Sequence, residues 1–557
     1  MPDETARTTN LGEHLTRVAG RVADKPAVVC LERRGSRTVA TSRTFRDLDR
    51  AADRLAHAFR RLGIGKGVRT ILMVRPSFEL FATTFALLRT GAVPVMIDPG
   101  MGRQKLVDNL SSVEAGAFIG VPLAHVLRVL SPGRFPTVKT SITVGRRLFW
   151  GGPTLLGLLQ SEPWRPFAAE PSQPDDVAAI FFTSGSTGPP KGVVYEHGMF
   201  DVQSAYLHTQ FRYEEGDVDL ATFPIFSLLD AVLGITSVIP DMDPTKPGEA
   251  DPAMIADAVT SQRCTNLYAS PALLENLSRW GARTGATLPT LRCVITAGAP
   301  ARPDLLERLH AMLPDDALIY TPYGATEVLP VSNIESREIL TETRALTEAG
   351  AGMCVGRPMP GQDVAVIGIT DEPIASWDAA RTLDAGEVGE IAVRGPGVTK
   401  EYFRRPDATR LAKIPVAPGA AEVWHRMGDL GRLDDKGRLW FCGRKAHRVE
   451  TAAGTLFSVS CEAVFNAHPR VRRTALVGVG ERPGQTPVIV VELVDGDGGR
   501  DLGRLTAQLL ALGAEHSHTA GIRDVLYHPG FPVDVRHNAK IRREDLAVWA
   551  ARELGRG

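Results

Sequence analysis

Apolar and polar residues alternate with two different periods along most of this chain. Short apolar runs at 27–30, 68–74, 91–97, 117–120 and 140–144 have the length and composition of buried strands. Segments with helical spacing lie between several of them. Residues 45–59 place their apolar side chains on one face until Gly63 stops the pattern, and 78–89 read as a second helix. Strand-like runs resume at 177–182, 193–195, 220–223, 266–268, 292–296 and 318–321, alternating with helical stretches. Such alternation predicts parallel α/β sheets. From about 355 the texture changes to short strands with Gly/Pro turns, at 364–369, 389–394 and 438–441. After Gly443-Arg444 a smaller α+β unit follows, with helices at 461–467 and 502–512 and strands at 473–479 and 488–493. The pattern predicts a large N-terminal domain of α/β sheets with a β-rich subdomain over 1–443, and a small C-terminal domain over 444–557.

Composition narrows the class. A chain of 557 residues exceeds one hydrophobic core, and 64 basic against 64 acidic residues leave no net charge to attract nucleic acid or an anionic membrane. Six scattered cysteines without a Cys-x-x-Cys pair argue against a disulfide framework or zinc site. Residues 1–10 are polar, and the apolar stretches 71–74 and 232–239 are too short to span a bilayer. The expectation is a soluble cytoplasmic protein without a transmembrane segment.

The densest chemistry lies in Phe181-Phe182-Thr183-Ser184-Gly185-Ser186-Thr187-Gly188-Pro189-Pro190-Lys191-Gly192. Glycines let backbone N–H groups converge, and hydroxyls with one ammonium suit a polyphosphate. It is not the common P-loop: Pro190 stands where a second glycine is required, and Gly192 follows the lysine where Ser or Thr would be. In Tyr320-Thr321-Pro322-Tyr323-Gly324-Ala325-Thr326-Glu327, an aromatic ring, a hydroxyl and a carboxylate follow a strand. Tyr323 suits a base, Thr326 a phosphate oxygen and Glu327 Mg²⁺. Thr296-Ala297-Gly298-Ala299-Pro300 would let a flat ring lie on the backbone. In His425-Arg426-Met427-Gly428-Asp429, Asp429 suits a ribose diol. Gly443-Arg444-Lys445 and His537-Asn538-Ala539-Lys540-Ile541 complete the series.

Taken in order, these stretches resemble the adenylate-forming superfamily of acyl-CoA synthetases, luciferases and peptide-synthetase adenylation domains. Cys354-Val355-Gly356-Arg357-Pro358, Gly386-Glu387-Val388-Gly389-Glu390 and Lys400-Glu401-Tyr402-Phe403 extend the likeness over nearly the whole chain. The resemblance implies ATP and Mg²⁺. It implies Thr183, Ser184, Gly185, Ser186, Thr187, Gly188 and Lys191 on the phosphates, with Ala297, Gly298, Ala299, Tyr323 and Gly324 at adenine. Thr326 would contact phosphate, Glu327 would hold the metal, Asp429 and Arg444 would take the ribose, and Lys540, on a mobile lid, would promote adenylation.

Phe223-Pro224-Ile225-Phe226-Ser227-Leu228-Leu229-Asp230, 237–245, 440–445 and 536–541 resemble the β-lactone synthetase branch of bacterial long-chain olefin biosynthesis. That branch implies adenylation of a 2-alkyl-3-hydroxy fatty acid, closure by its own hydroxyl, and work in a multienzyme assembly. The hinge position usual for CoA ligases is Ala446 here, unless Lys445 replaces it by a one-residue shift. Residues 223–239 are candidates for an alkyl tunnel or for ordinary helical core, with Phe223 and Phe226 in it. Asp230 and His197 are candidate bases, and each also reads as structural. A CoA ligase and a non-catalytic nucleotide-binding partner are the alternatives. Lys540→Ala should abolish acid-dependent ATP–pyrophosphate exchange while leaving the fold intact, and exchange at the wild-type rate would refute its role.

Overall fold

The computed structural model describes residues 10–35, 37–182, 190–223, 225–494, 496–533 and 541–555. Two parallel sheets form the first half. In one, Thr140–Thr143, Ala117–Gly120, Arg69–Met73, Val93–Met96 and Val177–Phe182 run parallel, and Gly192–Glu196 closes the edge as an antiparallel partner. In the other, Leu318–Tyr320, Cys293–Thr296, Asn266–Ala269, Val218–Ala221, Thr236–Ile239 and Pro26–Arg34 are parallel, with Arg37–Thr44 antiparallel at the edge. The helices Leu11–Arg21, Phe45–Arg61 and Phe78–Arg89 pack between them, and one apolar core joins Val28 and Ile239 of one sheet to Leu72 and Ile119 of the other.

Local chemistry explains these helices. Thr44 and Asp47 form a reciprocal capping box that satisfies two orphan N–H groups at the start of Phe45–Arg61. Arg89 ends Phe78–Arg89 only 1% exposed and binds Asp49 and Asp53 of the second helix and the Gly12 carbonyl and Thr16 hydroxyl of the first. One cation thus fastens three helices.

The third sheet is antiparallel and runs from Tyr323–Ala325 through Val328–Asn333, Met353–Pro358, Leu439–Arg444, Val423–Leu433 and Gly389–Arg394 to Asp363–Ile367. The C-terminal residues build a three-stranded sheet, Val471–Val479, Thr486–Leu493 and Asp524–Tyr527, with Ser458–Asn466, Leu502–Ala514 and Arg543–Glu553 packed on it.

Strong apolar runs were legible to within a residue or two. For residues 223–239 the helical-core reading is corrected: among the described residues Leu228–Leu233 is helical, Gly234 ends it at φ +76°, and Thr236–Ile239 is a strand. The polar strand Arg37–Thr44, exposed along most of its length, gave no apolar signal. Arg89→Met should cost about 3–5 kcal/mol in urea unfolding, because Asp53 loses its buried cation. A change under 1 kcal/mol would show that the cation is dispensable.

Candidate active site

Thr326 and Glu327 form a two-residue hairpin turn, since Ala325 and Val328 pair across it. Such turns usually recruit glycine or asparagine at positive φ, yet neither residue has positive φ here. Neighbours hold the turn instead. The Tyr195 hydroxyl donates to the Thr326 carbonyl at 2.6 Å, and Thr399 donates to the Glu327 carbonyl through its N–H at 2.9 Å and its hydroxyl at 3.0 Å. Gly324 is required by packing, because a Cβ there would lie 2.7 Å from the Val328 carbonyl oxygen.

The Glu327 side chain accepts a hydrogen bond from the Tyr402 hydroxyl at 2.6 Å on Oε1. Lys191 Nζ lies 4.7 Å from the centre of the Tyr402 ring. Behind them is Lys413, 3% exposed, donating to the Thr399 carbonyl and, at 3.1 Å, to its hydroxyl. Burial pushes the Lys413 ammonium down to about 7, opposed by the charge of Glu327. Burial also lowers Lys191, again opposed by Glu327.

A second carboxylate faces the same space. Asp429 on Val423–Leu433 is in register with Arg444 on Leu439–Arg444. Arg444 Nη1 lies 2.9 Å from Asp429 Oδ1, and the Tyr323 hydroxyl donates to Oδ2 at 2.6 Å. Burial raises the Asp429 carboxyl, and Arg444 and then Tyr323 pull it back. Next to Arg444, Lys445 binds the Thr370 carbonyl at 2.9 Å and buried Glu390 at 3.2 Å, while Ala446 has no polar side chain.

One cavity of about 2550 Å³ joins these groups. Lys191, Ala297, Gly298, Ala299, Tyr323, Gly324, Thr326, Glu327, Asp429 and Arg444 all line it, as do Ile541 to Glu544 from the C-terminal unit. Phe223, Phe226, Tyr268 and Phe211 also line it and form an apolar chamber, with the Phe226 and Tyr268 rings stacked at 4.8 Å.

The profile of AMP-binding enzymes matches residues 15–403. This chain belongs to the AMP-binding enzyme family. The AMP-binding enzyme described here is 48% identical, over 99% of its length and 100% of the relative's, to the olefin β-lactone synthetase of Xanthomonas campestris pv. campestris. It is 49% identical, over 98% and 99%, to that of Stenotrophomonas maltophilia. The amide bond synthetase McbA of Marinactinospora thermotolerans shares the fold at 22% identity and TM-score 0.78, with 97% of this chain and 99% of McbA covered. The anthranilate CoA ligase AuaEII does so at 19% identity and TM-score 0.78, covering 98% of each chain. The expected superfamily and fold are borne out, and enzymes of this family use ATP.

Thr183, Ser184, Gly185, Ser186, Thr187, Gly188 and Lys540 of this AMP-binding enzyme lie outside the described residues. His197 is not among the cavity-lining residues: it is buried at the start of His197–Thr209, and burial pushes its ring down to about 4. Asp230 does line the cavity, 2% exposed, and accepts from the Ser237 hydroxyl at 2.8 Å. Sequence reasoning missed its neighbour Asp219, which accepts from the Tyr213 hydroxyl at 3.2 Å. Burial pushes Asp219 up to about 7 and Asp230 well above the usual carboxylate range. Lys413 and the role of Tyr402 were missed as well. A lysine inside Leu411-Ala412-Lys413-Ile414 was the available signal, since an ionisable group in an apolar run needs a reason.

The raised Asp219 has a consequence for stability. Between its unfolded value near 4 and its folded value of about 7, the unfolded chain releases a proton that the folded one keeps. Stability therefore falls as pH rises through that window. Asp219→Asn should flatten this fall, by on the order of a few kcal/mol at pH 8. Parallel unfolding curves from pH 4 to pH 8 for both proteins would contradict the assignment.

Proposed function

We propose that this enzyme activates a 2-alkyl-3-hydroxy long-chain fatty acid with ATP and closes it to a β-lactone. The observation that carries this reading is the single cavity that joins Glu327, Asp429 and Arg444 to an apolar chamber. The full-length likeness to olefin β-lactone synthetases supports it. Because burial keeps the Asp219 and Asp230 carboxyls raised, the chamber presents little charge to an alkyl chain.

In the first step a carboxylate oxygen attacks the α-phosphorus and pyrophosphate leaves. Lys191 and the loop 183–188 take the phosphates, Thr326 contacts a phosphate oxygen, and Asp429 accepts from the ribose hydroxyls with Arg444 beside it. Ala297, Gly298, Ala299 and Gly324 give adenine a flat backbone floor. Lys540 stabilises the charge that grows on the α-phosphate. Glu327, with one carboxylate oxygen held by Tyr402, would hold Mg²⁺ through its other oxygen. When bound, that ion neutralises charge on the departing pyrophosphate.

In the second step the 3-hydroxyl oxygen bonds to the acyl carbon, the C–O bond to AMP breaks, and the hydroxyl proton leaves with AMP or to solvent. Chamber walls that hold the hydroxyl at the carbonyl supply proximity that offsets ring strain. No external thiol is needed, which agrees with Ala446 at the usual hinge position and with Lys445 anchored to Glu390. Residues 444–557 act as the lid that carries Lys540. An upstream enzyme must supply the hydroxy acid, and this reading places the enzyme with its pathway neighbours in one assembly.

Incubation with ATP, Mg²⁺ and a 2-alkyl-3-hydroxy acid, with and without CoA, tests this. The expected product is the β-lactone with AMP in both cases, and no product from the acid lacking the 3-hydroxyl. A CoA thioester formed from simple fatty acids would instead establish the CoA-ligase reading.

A further inference from the structure

The balanced overall charge conceals a strong local imbalance. Between Glu114 and Glu162 the chain has no acidic residue, while Arg128, Arg134, Lys139, Arg146 and Arg147 are all basic. The same stretch exposes large apolar side chains, with Phe149 77%, Leu123 72%, Leu156 62% and Leu130 60% exposed.

These features converge at one place. Pro122–Val129 buries Ala124 and His125 and presents Leu123, Val126, Leu127 and Leu130, at helical i, i+3, i+4 and i+7 spacing, to the cavity wall. The His125 ring stacks on Trp150 at 5.3 Å, and this fixes the loop 144–154 beside the helix. Arg146, Arg147, Leu148 and Phe149 are all exposed on that loop. Arg103, Lys105 and Arg146 have no ion pair among the described residues, and Arg147 donates only to the Gly152 carbonyl, at 2.7 Å. Leu123, Leu130 and Leu156 line the same cavity as Phe223 and Asp429, so the patch is continuous with the chamber.

An exposed apolar patch of this kind marks a contact surface. Unpaired cations interleaved with protruding Leu and Phe side chains match a lipid interface, where the rings enter the acyl boundary and the cations meet anionic headgroups. An acidic protein surface would satisfy the cations but leave Leu148 and Phe149 without an apolar partner. We propose that this face docks on an anionic lipid bilayer and brings the mouth of the cavity to the membrane. No helix of the described residues is long and apolar enough to cross a membrane, so the contact is peripheral. The surface argument does not depend on which acid the enzyme activates.

Vesicle flotation of the full chain tests the proposal, with phosphatidylcholine alone or mixed with phosphatidylglycerol, at low and high salt. Binding is expected only with the anionic lipid and should weaken with salt. Arg146→Gln/Arg147→Gln should lower partitioning about 30-fold, at about 1 kcal/mol per cation. Leu148→Ser/Phe149→Ser should lower it by a similar factor. Both variants should keep ATP–pyrophosphate exchange with a short, water-soluble hydroxy acid, which shows that they fold. No flotation with anionic vesicles, or flotation unchanged in both variants, would overturn the proposal. So would self-association without lipid that Leu148→Ser/Phe149→Ser abolishes, since the face would then be an interface between copies.

Discussion

Two carboxylates, Glu327 and Asp429, face one cavity, and the rest of the site is arranged to keep both there. Each is answered by a phenol and a cation: Tyr402 and Lys191 at Glu327, Tyr323 and Arg444 at Asp429. A buried carboxylate such as Asp429, and to a smaller degree the half-buried Glu327, would be expensive without such partners. The partners come from different elements: two strands in register, a separate hairpin, and the segments around Tyr402 and Lys191. The antiparallel sheet is therefore the platform on which the charges are held.

That platform also explains how the C-terminal unit meets the site. Leu439–Arg444 supplies Arg444 to the cavity, and Lys445 follows at once, bound to Glu390 and the Thr370 carbonyl. Glu390 in turn holds Arg426 at 2.6 Å, both residues buried. Across the junction, Arg448 pairs with Asp371 at 2.6 Å, and within the C-terminal unit His447 lies 3.3 Å from Glu544. These contacts bring Ile541, the residue after Lys540, to the cavity wall. Lys445, anchored in this way, and Ala446 are the two residues at which the sequence places the hinge.

Much of this was legible in the sequence because parallel sheets bury continuous apolar runs, which leave an unmistakable pattern. Val177–Phe182, Phe78–Arg89 and Gly389–Arg394 were read to the residue. That Lys191, Tyr323, Glu327, Asp429 and Arg444 share one cavity was legible through ordered short motifs, each weak by itself. What escaped was set by tertiary contact. Arg37–Thr44 has no buried face to announce it. Asp219 lies on the strand Val218–Ala221 and Asp230 in the helix Leu228–Leu233, and only the fold makes them neighbours. Lys413 matters through Thr399, fourteen residues away. Net charge hid the basic, apolar face around Pro122–Val129 because acidic residues elsewhere cancel it.

Following the oxygens tests the central claim most directly. A 2-alkyl-3-hydroxy acid labelled with ¹⁸O in its carboxylate should transfer one ¹⁸O to AMP and leave the label in the lactone carbonyl, with the ring oxygen unlabelled. Unlabelled AMP with ¹⁸O in the ring would mean that the hydroxyl is activated and the carboxylate displaces it, and the account of this cavity as a carboxylate-adenylating site would fall.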